Sequence, residues 1–317
     1  MDFGLDKKHE MARTLFKEFA ENEVKPLAQE VDETEVFPRA TVEKMAKYGF
    51  LGIPVPKEYE GQGCDPLTYV MCVEELAKVC ATTSVIVSAH TSLCIDPILT
   101  YGTPEQKAKY VPDLASGRKL GAFGLTEPGA GTDAQGQQTK AVLDGDEWVL
   151  NGSKCFITNG GIASFYCVTA MTDKTKGVKG MSMFFVEKGT PGLSTGKEEN
   201  KMGIRTSNTC DVVLEDVRIP ASNLIGEEGR GFNIAMQTLD QARTWMGCVA
   251  TGIAQRGINE AIAYGKERVQ FGKPIIKNQA LKFKVADMEI KTETARQMVA
   301  HALTKMDLGL PYTKESA

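Results

Sequence analysis

Phe123-Gly124-Leu125-Thr126-Glu127-Pro128-Gly129-Ala130-Gly131-Thr132-Asp133, followed some twenty residues on by Cys155-Phe156-Ile157-Thr158-Asn159-Gly160-Gly161, decides how the chain is read. Gly129-Ala130-Gly131-Thr132-Asp133-Ala134 matches the G-x-G-x-x-G/A spacing of a dinucleotide fingerprint. That spacing holds a pyrophosphate only where a strand leads into it and a helix opens on it. Here the glycines run into Thr139-Lys140-Ala141-Val142-Leu143, a turn at Asp144-Gly145, and Glu147-Trp148-Val149-Leu150. A second turn at Asn151-Gly152 precedes Lys154-Cys155-Phe156-Ile157-Thr158. Turn dipeptides between short β-branched and aromatic runs predict hairpins, not a helix. The doubly wound nucleotide fold is excluded.

Outward from this block the pattern changes on both sides. Residues 1–118 read as a helical domain. Ala12, Leu15, Phe16, Phe19 and Val24 recur near helical spacing, Phe37-Pro38 opens a second helix closing at Tyr48-Gly49, Asp65-Pro66 caps a third, and Thr103-Pro104-Glu105 opens another. Residues 119–225 are short runs such as Phe165-Tyr166-Cys167-Val168-Thr169 and Ser182-Met183-Phe184-Phe185-Val186, which predict an antiparallel, barrel-like β domain. Residues 226–317 return to helical spacing, from about Phe232 to Arg268 and from Asn278 to Met306. The fold class expected is α+β, with a helical domain at each end. Thr313 reads as the N-cap of a last helix that runs for one turn, too short to form alone. The expectation is therefore a C-terminally truncated chain with an incomplete final bundle.

Bulk properties exclude several classes. The chain has 317 residues, 42% of them apolar, and a net charge of −4, with no basic surplus for nucleic acid and no run long enough for a membrane span. Met1-Asp2-Phe3-Gly4-Leu5-Asp6 lacks a signal-peptide pattern, so an intracellular location is expected. The eight cysteines include no C-x-x-C pair and the three histidines are far apart, so no metal site is expected.

The glycine-rich run offers backbone N–H groups that can form an anion nest around Pro128-Gly129-Ala130-Gly131, with the Thr132 hydroxyl beside it. Thr126 and Thr158 end two strand-like runs that hairpins bring side by side; taken alone they read equally well as ordinary strand residues. Asp240 and Arg243 lie one turn apart on a helix, as an ion pair or as part of a site.

Taken together, the Phe123–Asp133 run, Phe156-Ile157-Thr158-Asn159-Gly160, Asp240-Gln241-Ala242-Arg243, and Arg268-Val269-Gln270-Phe271-Gly272 with Asn278-Gln279 closely resemble the acyl-CoA dehydrogenase family, nearest its short-chain (butyryl-CoA) members. The resemblance spans the chain in order. It implies FAD as cofactor, a short-chain acyl-CoA as substrate, electron transfer flavoprotein as electron acceptor, and a homotetramer built as a dimer of dimers. It implies that Phe123 to Thr132 cradle FAD, with Thr126 at the flavin pyrimidine edge and Thr132 near the pyrophosphate and the thioester. Phe156, Ile157 and Thr158 lie along the flavin, Thr158 by N5. By the same resemblance, Asp240, Gln241, Ala242 and Arg243, with Thr132, line the acyl-CoA channel, and Arg268, Phe271 and Gln279 reach the FAD of a neighbouring subunit.

The family's proton-abstracting glutamate stands in a Tyr-Glu-Gly-Thr setting that is absent here, as is its Gln-x-x-Gly-Gly run. Branches that carry the base on the Asp-x-Glu-Arg helix have a glutamate where this chain has Ala242. The base is thus expected beyond Ala317 and this chain is expected to be inactive alone. A noncatalytic FAD- and acyl-CoA-binding fragment, or an acyl-CoA oxidase on the same scaffold, are the alternatives. The location implied is the bacterial cytoplasm, or the mitochondrial matrix for a processed eukaryotic protein.

Overall fold

The structure, a computed structural model, describes residues 5–317; the reading of the N-terminus as lacking a signal pattern falls largely on residues 1–4, outside the described residues. The first helices are α1 (Lys7–Phe19), α2 (Lys25–Thr34), α3 (Arg39–Lys47), α4 (Pro66–Ala77), α5 (Ala81–Ser88), α6 (Asp96–Tyr101) and α7 (Pro104–Ala115). Prolines shape two junctions between them. Wider π turns over Ala20–Val24 and Ala89–Ile95 run into Pro26 and Pro97. A proline lacks the N–H that closes the usual helical bond and crowds the carbonyl four residues back, and a locally widened helix relieves both. Asp65 caps α4 by accepting from the Thr68 N–H at 2.7 Å. Thr103 and Gln106 form a reciprocal capping box on α7, and Gln106 also donates to the carbonyls of Ser222 and Leu224 at 2.7 and 2.8 Å.

The β region comprises β1 (Gly121–Gly124), β2 (Lys140–Asp144), β3 (Glu147–Thr158), β4 (Phe165–Met171), β5 (Met181–Glu187), β6 (Leu193–Thr195), β7 (Thr209–Pro220) and β8 (Leu224–Ile225). They form one sheet in the order β6-β7-β3-β2-β4-β5-β8, with β1 pairing β4. This corrects the barrel-like antiparallel expectation. The sheet is open, and it is mixed, because β1 runs parallel to β4 and β2 meets β4 in parallel. Its ends are strands of three and two residues, and edges that short offer little template for pairing with another chain. Asn151-Gly152 also proves not to be a turn. β3 runs straight through it, and the register with β7 slips between Leu150 and Gly152. A Cβ on Gly152 would lie 2.3 Å from the Thr139 hydroxyl oxygen, so the glycine is needed for close approach to the neighbouring chain.

The chain ends with α8 (Gly231–Glu267), the hairpin β9 (Val269–Gln270) and β10 (Lys273–Pro274), α9 (Gln279–Asp307) and α10 (Thr313–Ser316). Tyr312, not Thr313, is the N-cap residue of α10. The single turn forms because tertiary contacts hold it: Lys305 of α9 pairs with Glu315 at 2.6 Å, and Ser316 is buried. Isolated-helix energetics do not apply to a turn docked in this way.

Two compact units result. Among the described residues, one gathers 5–30, 65–85 and 243–317; the other gathers 31–64 and 86–242. In the first, Tyr69 meets Trp245 edge to face with ring centroids 4.6 Å apart, and Arg296 reaches Glu74 at 2.8 Å. In the second, the sheet is covered on both sides. Trp148, Leu150, Ile157, Val168 and Phe184 pack on one face, while Phe165, Cys167 and Phe185 meet Ile95, Ile98, Tyr110 and Leu114 on the other. β4 accordingly is buried at every residue.

Asp96 of α6 faces Gln241 of α8, whose amide nitrogen is oriented to donate to both carboxyl oxygens at 3.0 and 3.1 Å. Burial raises the Asp96 pKa to about 7 against these hydrogen bonds. The folded state therefore holds a proton that the unfolded chain has already released between the ordinary carboxylate range and pH 7. Stability should fall as pH rises through that window, with a slope of at most about 1.4 kcal/mol per pH unit from this group. Denaturant melts from pH 4 to 7.5 should show this slope in the wild type and a flatter one in Asp96→Asn.

Candidate functional site

Gly129 and Gly131 lead to a single 3₁₀ turn, Ala134–Gly136, and then to β2, so no helix terminus stands behind the loop. The loop is positioned from below. Leaving β1, the chain lays its Thr126 carbonyl on the Cys155 N–H of β3 at 2.9 Å, and Glu127 and Ala130 exchange backbone hydrogen bonds of 3.1 and 3.0 Å. The loop thus meets β3 at Cys155 through this backbone bond and not through a hairpin, since β1 itself pairs with β4. Thr158 lies three residues along β3 from Cys155, about 10 Å at the usual rise of a strand. The hydroxyl of Thr126 makes no hydrogen bond to any described residue.

Phe156 is the most informative residue of the strand. Between Lys154 and Ile157 the pairing with β7 advances three residues on β3 against two on its partner, from Val212 to Cys210. This β-bulge holds Phe156 at φ 59° and turns its ring outward, 64% exposed in the middle of a long strand. A bulky residue at positive φ costs of order 1–3 kcal/mol and persists where the surroundings impose it, most often at functional sites. Asn159, three residues on, is also left-handed at φ 63° and is buried. Pro128, Gly129, Gly131 and Thr132 are exposed, and a Cβ on either glycine would meet nothing within 4 Å. An outward aromatic face, free hydroxyls beside it and an open glycine loop suit a planar heterocycle that carries a phosphate tail.

The loop rests on a buried polar cluster that the sequence reading did not single out. The Lys154 ammonium is wholly buried and donates among Glu127 at 2.8 Å, the Gln137 side chain at 3.0 Å, the Leu125 carbonyl at 3.2 Å and Thr169 at 3.3 Å. Glu127 accepts from the backbone N–H groups of Gln138 at 2.6 Å and Thr139 at 3.1 Å. Gln137 donates to the Leu125 carbonyl at 2.9 Å, and Thr169 lies 3.3 Å from the Gly124 carbonyl and 2.9 Å from the Gln137 side-chain oxygen. Burial lowers the Lys154 pKa to about 8, outweighing the pull of Glu127. Burial works against the Glu127 carboxylate too, but the Lys154 ammonium and the hydrogen bonds hold its pKa below the ordinary value. Glu127, a candidate cofactor residue, thus turns its carboxylate inward, while its backbone N–H and carbonyl are paired with Ala130. The inward position of Lys154 was readable: Trp148, Leu150, Gly152 and Lys154 alternate on one face of β3.

The remaining candidates are distributed over both units. Asp240 and Gln241 of α8 are partly buried, Ala242 is buried and Arg243 is exposed; the Gln241 amide is engaged by Asp96. Arg268, Phe271 and Gln279 belong to the unit that does not contain the loop. Phe271-Gly272 is the two-residue turn of the β9–β10 hairpin, with φ 51° and 73°, and the Phe271 side chain is 98% exposed. Gln279 opens α9 and is exposed.

The bulge makes a specific prediction about strain. Phe156→Gly should leave thermal stability unchanged or raise it by up to about 1 kcal/mol, because glycine relieves the left-handed backbone while little buried surface is lost. A drop of several degrees in Tm would show the ring to be part of the packing instead.

Comparison with known proteins matches the whole chain. The family models for the acyl-CoA dehydrogenase N-terminal, middle and C-terminal domains match residues 6–118, 122–217 and 229–317. A short-chain-specific acyl-CoA dehydrogenase of Clostridium acetobutylicum is 55% identical over 317 residues, which are all of this chain and 84% of that protein. The solved butyryl-CoA dehydrogenase of Megasphaera elsdenii superposes with a TM-score of 0.98 at 46% identity, covering 100% of this chain and 84% of that one. A chain in the structure described as the electron transferring flavoprotein of Acidaminococcus fermentans does so with a TM-score of 0.98 at 49% identity, covering 100% and 83%. The expectation of a C-terminally truncated chain draws no support from the domain matches, since models for all three domains match.

Proposed function

The chain belongs to the acyl-CoA dehydrogenase family, and we propose that it converts a short-chain, butyryl-CoA-like acyl-CoA to the 2-enoyl-CoA and passes the electrons to an electron transfer flavoprotein. Enzymes of this family use FAD, which when bound takes the β-hydrogen and its electron pair from the acyl chain. One observation carries the assignment of its site: the Phe156 ring, turned outward by the β-bulge beside Thr126 and Thr158.

In this reading Phe156 would offer its face to the flavin ring, the Thr126 hydroxyl would donate to the pyrimidine edge, and Thr158 would serve the N5 side. Donors fixed in place before the reaction stabilise charge where it develops without reorganising. The N–H groups of the exposed Gly129 and Gly131 and the Thr132 hydroxyl would take the pyrophosphate, the Ala130 N–H being held by the Glu127 carbonyl. Asp240 and Arg243 flank the thioester channel on α8. Gln241 acts on the channel through Asp96, to which its amide is turned. The α-proton base is not assigned to α8, because the position that carries a carboxylate in other branches is the buried Ala242.

We place Arg268, Phe271 and Gln279 against the FAD of a second copy of the chain, in an oligomer built as a dimer of dimers. The 98% exposure of Phe271, together with exposed Phe283 and Ile290 on α9, supports a covering partner. The eight cysteines are all free thiols, including Cys94 and Cys167 with sulfurs 3.9 Å apart, which suits a reducing compartment such as the cytoplasm.

Anaerobic addition of butyryl-CoA should bleach the flavin absorbance, and an electron transfer flavoprotein should restore it faster than air does. Thr158→Val should shift the flavin spectrum or midpoint potential with folding intact. Faster recovery in air would favour an oxidase, and an unchanged spectrum and potential in Thr158→Val would remove that residue from the site.

A further inference from the structure

The strongest polar feature not used by the reaction is the cluster beneath the loop. We propose that Lys154 and Glu127 are a positioning pair for the flavin: they fix the path of Gly124 to Glu127 and thereby set where Thr126 meets the ring. This rests on the reading of that loop as the flavin cradle.

The geometry supports positioning over simple stabilisation. An ion pair with exposures of 0% and 5% gives up the hydration of both charges, and replacing such a pair by neutral groups of similar size is often neutral or stabilising. Its contribution lies in what it constrains. The ammonium and the Gln137 amide both draw the Leu125 carbonyl inward, at 3.2 and 2.9 Å. The Cys155 N–H takes the Thr126 carbonyl at 2.9 Å, and Thr169 stands 3.3 Å from the Gly124 carbonyl. Three consecutive carbonyls are thus directed into the protein. Glu127 then locks the far end of the loop to the backbone of Gln138 and Thr139. The half-buried Thr126 keeps a hydroxyl with no hydrogen-bond partner among the described residues. Lys154 also immediately precedes the bulged Cys155 and Phe156, so one side chain anchors the loop and the root of the aromatic platform together.

The test uses the FAD-stripped protein retitrated with FAD, comparing wild type, the neutral pair Lys154→Met/Glu127→Gln, Thr169→Val, and Thr126→Val. Changing both charges avoids leaving one buried without its partner, which would confound the result. The neutral pair should fold, with a cooperative melt, yet bind FAD about tenfold more weakly or worse, a factor that corresponds to 1.4 kcal/mol. It should also show a displaced visible band and midpoint potential once saturated with FAD. A neutral pair with wild-type affinity, spectrum and potential overturns the inference. If the neutral pair does not fold, the near-isosteric Thr169→Val decides by the same readouts: a displaced spectrum and potential support positioning, and wild-type values overturn it. Thr126→Val separates the two levels. If Thr126→Val changes the spectrum while the cluster variants do not, the positioning role alone falls; if none of the variants does, the cradle reading falls with it.

Discussion

A buried ammonium must find acceptors for its N–H groups, and Lys154 finds them in the segment that would otherwise be free to wander. Leu125 supplies a backbone carbonyl and Glu127 a carboxylate, both from the same turn of chain. Lysine is almost never fully buried without such partners. The constraint therefore runs both ways. The loop is fixed because the charge demands satisfaction, and the charge is tolerated because the loop, Gln137 and Thr169 satisfy it. Everything proposed for the flavin site, from the placement of Thr126 to the exposed glycines beyond it, depends on that mutual condition.

The second element of the site depends on counting along β3. Trp148, Leu150 and Lys154 are inward at even positions, whereas Ile157 is inward at an odd one. A change of phase within one strand requires an extra residue, and the bulge at Cys155 and Phe156 supplies it. The outward Phe156 ring is the direct consequence. A strand without the bulge would alternate inward and outward through this stretch and would carry Ile157 to the wrong face.

Much of this was legible in the chain itself. Asp65-Pro66 and Thr103-Pro104 marked helix starts because their chemistry is local, a side-chain oxygen over orphan N–H groups. Asp144-Gly145 marked the β2–β3 hairpin for the same reason, whereas Asn151-Gly152, an equally strong turn signal, was overridden by pairing with β7 and contact with Thr139. The parallel pairing of β1 with β4 was not legible, since it joins segments some forty residues apart. Nor was the docking of α10 through Lys305 and Glu315, which is a tertiary contact with no periodic signature. Within the proposed site, Thr126 and Thr158 were named through family likeness alone, while Lys154 was passed over although simple alternation along β3 already pointed it inward.

The most direct measurement is a crystal structure of the protein with FAD bound. The account predicts the isoalloxazine ring on the outward face of Phe156, with Thr126 and Thr158 at its polar edges. The Leu125 carbonyl should still be directed at the Lys154 ammonium. A flavin ring bound elsewhere, or a loop from Gly124 to Glu127 that leaves Lys154 to reach the ligand, would contradict it.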